Sequence, residues 1–176
     1  MTFLTDIDPS SSAAANMGIR SLKRKDYEKA EVFYTYALEN EPDEINKAQY
    51  AFRLAQTYGA MNKYNSAKTY ALKAAAFRSG WGEPYLLIGD LYAKTSRQCG
   101  ELKTEFLKRV GYWAAIDKYE FAKIIDPQLS TKSNERIEKY TEQMPSKTDI
   151  FTEGLIDEPT YKIDCWYSET VKIRVP

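Results

Sequence analysis

The sequence predicts an all-α protein built from repeated pairs of helices, with a small β-hairpin near its C-terminal end. Three observations lead to this prediction. Small and aromatic residues recur over most of the chain at a near-constant spacing, which is typical of stacked helical repeats. A stretch with an amphipathic helical stripe follows the last repeat. The final stretch then alternates between apolar and polar side chains, as half-buried strands do.

The composition is that of a folded chain without a strong electrostatic preference. The 176 residues include 25 Lys and Arg against 25 Asp and Glu, so the formal net charge is zero. A chain of this length buries about 70% of its unfolded surface, and an aromatic share of 14% argues against extensive disorder. The neutral balance gives no case for nucleic acid or an anionic membrane as partner. No apolar run approaches the roughly 18 residues of a membrane span.

The residue types leave little chemistry for catalysis or metal binding. The chain has no histidine, which excludes Ser-His-Asp and Cys-His triads and histidine-ligated zinc. Its two cysteines, Cys99 and Cys165, cannot complete a four-ligand structural zinc site. The carboxylate pair Asp157 and Glu158 stands beside no glycine-rich cradle or nucleophile motif. We therefore expect a non-enzymatic protein without a cofactor or a metal site.

The first two repeats, predicted over 11–44 and 48–81, align on their small and aromatic residues. Ala30 and Ala67 occupy equivalent positions and stand 37 residues apart. This spacing is close to the length of a helix–turn–helix repeat of about 34 residues. The aligned residues are Gly18, Ala30, Tyr34 and Ala37 in the first repeat and Ala55, Tyr58, Ala67, Ala71 and Ala74 in the second.

The third repeat, predicted over 82–127, is interrupted. Tyr85, Gly89 and Tyr92 follow the spacing of an aromatic, a glycine and a tyrosine in the first helix of such a repeat. Ala115 begins the matching second half, 26 residues after Gly89, where the first repeat has a separation of 12. About fourteen residues are therefore inserted around 96–110. Apolar residues of the insertion follow helical spacing, which predicts that it lengthens the second helix; they are Leu102, Phe106 and Val110.

On these residues the chain resembles the tetratricopeptide repeat (TPR) family over 11–127. The resemblance implies an α-α superhelix of helix–turn–helix pairs that binds a protein or peptide partner in its concave groove. Small residues let the two helices of a pair approach closely, and large ones fill the space between neighbouring pairs. An irregular helical bundle with the same alanine usage is the alternative.

The first helix of each repeat should present one face to that groove, because steps of three and four residues share a helix face. Chaperone-binding TPR domains hold a C-terminal carboxylate with Lys and Asn at two positions occupied here by Ala15 and Ile19, so that activity is not implied. Contact with a neighbouring repeat or the tail is the alternative role for these positions. Lys23 and its basic neighbours are interpreted as exposed turn charge. The predicted groove residues are Ala15, Ile19, Leu22, Gln49, Phe52, Gln56, Leu86 and Asp90.

A terminal helix is predicted over 130–144. Ile137, Tyr140 and Met144 share one face, and charged residues occupy the rest. Repeat arrays need such a helix to cover the apolar end of the last repeat. The remaining 145–176 should form a C-terminal extension.

A β-hairpin is predicted over 160–175 within this extension. A three-residue loop over 168–170 would place Tyr167 opposite Val171 and keep the apolar residues on one face. Trp166 would then lie on the outer face, where an exposed tryptophan is a candidate anchor for a partner. Because an isolated hairpin is marginally stable in water, this one should pack on the helices.

From residue 81 onward the chain is also similar to the C-terminal part of exported TPR proteins from Bacteroidetes. The resemblance implies a periplasmic or cell-envelope protein shortened at its N-terminus. An architectural role as a subunit of a larger envelope complex is the alternative to partner binding through the groove. The matching residues are Trp81-Gly82, Pro84 to Tyr92, Cys99-Gly100, Tyr112 to Ala115 and Cys165-Trp166.

This second resemblance favours a disulfide between Cys99 and Cys165, which on the chain-entropy account would contribute about 4 kcal/mol. Two separate buried thiols in a cytoplasmic protein are the alternative. The opening residues 1–15 lack the charged and apolar regions of a signal peptide. Residues 1–10 are predicted to be a linker or disordered.

Overall fold

The structure is a computed structural model that describes residues 9–100 and 104–176. The chain separates into two compact units, the first ending at Ser79 and the second beginning at Gly80. Helices dominate both units, and the second also contains a two-stranded antiparallel sheet. Most of the predicted linker 1–10, together with Leu102 of the predicted insertion, lies outside the described residues.

The first unit consists of four helices in two successive hairpins. They are α1 (Ser11–Lys23), α2 (Tyr27–Glu39), α3 (Glu44–Ala60) and α4 (Tyr64–Phe77). Each packs on the next. The first three are capped by the residues that precede them, Ser10, Asp26 and Asp43. Each of these side chains accepts a hydrogen bond from the backbone N–H three residues on. Such caps satisfy donors that the first helical turn leaves open.

The turns within the two hairpins have the same geometry. Lys25 and Asn62 both adopt the left-handed conformation with φ of 58°. In each turn the next residue donates a backbone hydrogen bond of 2.9 Å to the helix before it, from Asp26 to Ser21 and from Lys63 to Tyr58. These equivalent residues keep the 37-residue spacing seen in the sequence. The predicted repeat is therefore present in the backbone as well as in the side-chain pattern.

Small residues bring the two helices of a pair together, as predicted. A Cβ atom at Gly18 would lie 2.8 Å from the Tyr34 ring, and one at Gly89 would lie 2.5 Å from the Tyr119 ring. Both distances are too short for non-bonded carbon atoms, so only glycine allows these rings to lie so close to the partner helix.

The second unit begins with a third helical pair and adds further elements. Its helices are α5 (Glu83–Cys99), α6 (Val110–Ile125), α7 (Ser130–Thr141) and the short α8 (Lys147–Thr152), with a single 3-10 turn at Pro127–Leu129. The strands are β1 (Thr160–Asp164) and β2 (Ser168–Lys172). Both α7 and β2 pack on α6. None of the described helices is both long and apolar enough to cross a membrane.

The predicted helical insertion is wrong for residues 104–109, which are not helical and form turns over 105–109 before α6 begins at Val110. The first helix of the pair is lengthened instead, to Cys99. The turns pass close to the C-terminal end of α5. There the Ser96 hydroxyl donates a hydrogen bond of 2.8 Å to the backbone carbonyl of Lys108. A Cβ atom at Gly100 would lie 2.5 Å from the Lys108 nitrogen. This crossing leaves no room for another helical turn.

The predicted register of the β-hairpin is also wrong. Val171 lies opposite Tyr161 rather than Tyr167, and the three-residue loop is 165–167 rather than 168–170. An even shift of the register keeps the same residues on each face, so alternation alone could not select among the possible pairings. The predicted faces are therefore retained, with Ile163 and Val171 buried.

The hairpin loop is held on α5 by a disulfide and by aromatic packing. Cys165 is bonded to Cys99, with a Cα–Cα distance of 5.5 Å. Tyr167 stacks on Tyr92 with ring centroids 3.8 Å apart. After the second strand, the backbone carbonyl of Arg174 accepts a hydrogen bond of 3.0 Å from the Trp113 indole of α6. The hairpin thus packs on the helices, as predicted.

Candidate functional site

The predicted groove residues of the first unit lie on two helices, α1 and α3. Ile19 is 39% exposed and Leu22 is half-buried, whereas Ala15 is only 6% exposed and belongs to the core. The three positions on α3 are half-buried; they are Gln49, Phe52 and Gln56. The inner face is therefore partly open to solvent at Ile19 and along α3.

A hollow of about 260 Å³ opens beside this face. Ile19 and Leu22 line it from α1, together with Lys23 at the end of that helix. The Tyr34 ring of α2 and the Arg53 side chain of α3 complete the lining. Three helices thus combine an apolar wall with two cationic groups at one place.

Tyr34, which lines this hollow, carries a fully buried hydroxyl. Tyr34 is 1% exposed, and no hydrogen-bond partner for its hydroxyl exists among the described residues. Burial raises the pKa of Tyr34 above its usual value, since an ionised phenolate would be poorly solvated there. The hydroxyl therefore keeps its proton at neutral pH and is a hydrogen-bond donor.

The sequence pattern does not group Lys23, Tyr34 and Arg53. It indicates exposed turn charge for Lys23 and a core position for Tyr34, and Arg53 follows the predicted groove residue Phe52. The spacing of Ile19, Leu22 and Lys23, at i, i+3 and i+4, does place these three on one helix face. Which residues of α2 and α3 join them depends on the packing of three helices.

In the second unit, one predicted groove residue is buried and the other is bound by α7. Leu86 is 2% exposed and belongs to the core. Asp90 is held by the Arg136 guanidinium, with Nε to Oδ1 at 2.8 Å and Nη2 to Oδ2 at 3.2 Å. The Tyr119 hydroxyl also donates a hydrogen bond of 2.9 Å to Asp90 Oδ1. Asp90 therefore contacts the terminal helix α7, which is neither of the roles predicted for it.

Trp166 does not lie exposed on the outer face of the hairpin, so that prediction is wrong. The residue is half-buried in the loop, and its indole N–H donates a hydrogen bond of 2.9 Å to the Thr95 hydroxyl of α5. Its ring packs at 5.5 Å from that of Tyr92. The Cys99–Cys165 disulfide also joins this loop to α5, so two neighbouring residues of the loop contact the same helix.

Two buried tyrosines of the second unit donate to carboxylates. The Tyr92 hydroxyl lies 2.6 Å from Glu169 Oε1, and Tyr119 donates to Asp90. Burial raises the pKa of both tyrosines far above the usual value, and the neighbouring carboxylates raise it further. Both hydroxyls therefore remain protonated in the folded chain at pH values where free tyrosine ionises.

We expect the second unit to lose stability as the pH rises above about 10, the usual pKa of tyrosine. The unfolded chain releases these two protons there and the folded chain does not, so unfolding becomes more favourable. Denaturant unfolding at about pH 9 and 11 measures this loss. The double variant Tyr92→Phe/Tyr119→Phe should show a smaller loss, since it has neither proton to release. An equal alkaline loss in both proteins would contradict this assignment.

Within the described part of the chain, no group of three or more Cys, Asp or Glu side chains is placed to hold a metal ion. The first-unit surface beside the hollow combines an exposed apolar side chain, Ile19, with the cationic groups of Lys23 and Arg53.

Comparison with known proteins supports the fold. The chain is similar to the structure of an Arabidopsis OM64 TPR domain, with a TM-score of 0.56 and 19% sequence identity over 76% of this chain and 96% of that one. At this identity the likeness shows the fold alone. No protein-family model and no curated protein matches the chain. The helical pairs thus have a TPR-like fold, with a small two-stranded sheet added at the C-terminal end.

Proposed function

We propose that the chain is a non-enzymatic scaffold that binds a protein or peptide partner through the inner face of α1 and α3. The observation that carries this proposal is the hollow of about 260 Å³, where exposed Ile19 adjoins Lys23 and Arg53. Apolar side chains beside well-placed polar groups are typical of recognition sites. The TPR-like fold adds support, because stacked helical pairs present such surfaces on rigid elements.

Phe52→Glu should reduce partner capture at least tenfold, because it places a charge at the half-buried centre of the proposed face. The variant should melt within a few degrees of the unaltered protein, since the site is partly open to water. Capture from extract of the source organism, quantified by mass spectrometry, measures the first effect and circular dichroism the second.

Phe151→Glu is the matched control, because Phe151 is 69% exposed on α8 in the other unit. Partner capture should survive this change. If Phe52→Glu unfolds the first unit, Phe52 belongs to the core and the proposed face is wrong at its centre. If capture survives Phe52→Glu and fails with Phe151→Glu, the binding surface lies in the C-terminal extension.

An architectural role in a bacterial cell-envelope assembly is the second candidate function. It is favoured by the C-terminal extension, where Phe151 and Ile156 are 69% and 60% exposed beside a disulfide-tied hairpin. Exposed apolar residues of this size often mark an interface. The pair of Phe→Glu variants distinguishes this role from the scaffold, since only the architectural role depends on Phe151.

We also propose a periplasmic or envelope location, which rests on the Cys99–Cys165 disulfide and on the resemblance to exported TPR proteins of Bacteroidetes. The cytoplasm is the alternative. Alkylation of protein from its native source, followed by intact-mass measurement without reductant, tests the location. A protein that takes up no alkylating agent supports an oxidising compartment, whereas two modified thiols argue for the cytoplasm.

A further inference from the structure

We infer that the C-terminal extension is a self-association surface, through which two copies of the chain form a two-fold symmetric dimer. In this dimer the Phe151 side chain of each copy enters an apolar hollow in the extension of the other copy. The inference goes beyond the proposed function, because it uses residues of the second unit and none of the α1–α3 face. This extension hollow is lined by Lys147, Ile150, Ile156, Glu158, Ile173 and Val175.

Exposed apolar side chains gather around the extension hollow. Ile156 and Val175 line it, and both are exposed to solvent. Phe151 is also exposed and lies beside the hollow, because it follows the lining residue Lys147 by four positions on α8 and shares a helix face with it. Single exposed apolar residues are ordinary on protein surfaces, whereas a cluster of them marks a surface that another molecule covers.

Phe151 is held in place by hydrogen bonds at both ends of α8. At the start of the helix, the Ser146 hydroxyl accepts a hydrogen bond from the Asp149 backbone N–H, and the Asp149 carboxylate accepts one from the Ser146 backbone N–H. At its end, the Leu155 backbone N–H donates a hydrogen bond of 3.0 Å to the carbonyl of Ile150, whose side chain is buried. An aromatic side chain on a fixed backbone loses little conformational freedom on binding, which favours its use as an anchor.

The extension hollow is suited to an aromatic side chain. Its volume of about 380 Å³ falls within the range of about 300–1,000 Å³ that is typical of pockets for small organic groups. Four of the six lining residues are aliphatic. One of them, Ile173, donates a backbone hydrogen bond of 3.2 Å to the carbonyl of Pro159, which continues the pairing of the hairpin and fixes this wall. The extension thus carries both halves of an apolar contact.

The two charged residues of the hollow complement each other between copies. Lys147 and Glu158 are exposed, and neither forms an ion pair with another described residue. A two-fold axis repeats every contact, so Lys147 of each copy can face Glu158 of the other. A surface with a projecting ring, a hollow, a cation and an anion is complementary to itself, which favours a second copy as its partner.

Sedimentation velocity of the full chain at about 1–500 µM tests the inference. We expect a monomer–dimer equilibrium with a dissociation constant of about 1–100 µM, as is typical of small interfaces. Phe151→Glu should weaken the dimer at least tenfold, because it places a charge in the hollow of the other copy. Ile124→Glu is the matched control, since Ile124 is about as exposed as Phe151 in the same unit and lies outside the hollow. It should leave the dissociation constant unchanged.

Charge reversal tests the two-fold pairing. Lys147→Glu and Glu158→Lys should each weaken the dimer about tenfold, because each change brings like charges together at two places. An equimolar mixture of the two variants should restore the dimer, since both contacts between unlike copies then join opposite charges. Restoration in the mixture also shows that both variants are folded.

A chain that stays monomeric over the whole concentration range would overturn the inference, and so would a dimer that Phe151→Glu leaves intact. Growth beyond the dimer would also overturn it, because open assembly requires two different contact surfaces. A mixture of the charge variants that stays monomeric would contradict the two-fold arrangement. None of these outcomes affects the proposed function, which is tested separately by partner capture with Phe52→Glu.

Discussion

Replacing both Cys99 and Cys165 with alanine should lower the free energy of unfolding of the second unit by about 4 kcal/mol. The disulfide joins residues separated by 66 positions, so it restricts a long loop in the unfolded chain. The hairpin has only two strands and depends on its attachment to the helices. All three tryptophans, Trp81, Trp113 and Trp166, belong to the second unit, so denaturant unfolding followed by tryptophan fluorescence measures this unit selectively.

Reduction of the unaltered protein provides the control for this prediction. A dithiol reductant should bring the unaltered protein to about the stability of the double variant and should leave the variant unchanged. Far-ultraviolet circular dichroism, which also detects the helices of the first unit, should retain a second transition that the reductant does not move. A fluorescence transition that is insensitive to both treatments would contradict the stabilising role of the disulfide.

Trp113→Ala should cost the second unit about 3–5 kcal/mol, as expected for truncation of a buried tryptophan. Trp113 is fully buried in α6, with Phe106 and Tyr161 packed edge-on against its ring at centroid distances of 5.8 and 6.1 Å. The change also removes the hydrogen bond to the carbonyl of Arg174. Because the contacts join α6 to the 104–109 turns and to the hairpin, the cavity should weaken both attachments. Unfolding followed by the two remaining tryptophans measures the cost.

Ile124→Ala on the same helix is the matched control. Ile124 is 72% exposed, so its truncation should change the free energy of unfolding by no more than about 0.5 kcal/mol. If Trp113→Ala costs as little as Ile124→Ala, the packing of the hairpin on α6 described above is incorrect.

The repeats could be predicted because their signals are local. Gly18 and Gly89 contact rings that lie only one helix farther along the chain, and the turn residues Lys25 and Asn62 recur at the repeat spacing. Each signal depends on neighbours within a single helical pair. Spacing within the sequence therefore carries most of the information about these elements.

The candidate site was predictable only in part. Helix periodicity indicated that Ile19, Leu22 and Phe52 share an inner face, yet it also assigned Ala15 and Leu86 to that face, and both are buried. Residues spaced three or four apart share a helix face, but this spacing does not show which of them lie in the groove and which in the core. That boundary depends on how closely the next helix approaches.

Contacts between distant segments were not predictable from the pattern. The Asp90 carboxylate is bound by Arg136, 46 residues later, and Trp166 donates to Thr95, 71 residues earlier. Several acidic residues could have formed an ion pair with Arg136. The alternation of apolar and polar residues likewise permits several pairing registers of the hairpin that differ by an even number of residues. Selection among these options depends on the geometry of the folded helices.

The sequence by itself determined the helical pairs, the turns that join them, the terminal helix and the two faces of the hairpin, because each follows from residues close together in the chain. Only the tertiary structure decided the hairpin register, the turns at 104–109, the inward position of Trp166 and the grouping of Tyr34 with Lys23 and Arg53. These features depend on distances between separate elements. Such distances are set by the packing of whole side-chain layers, which no local periodicity encodes.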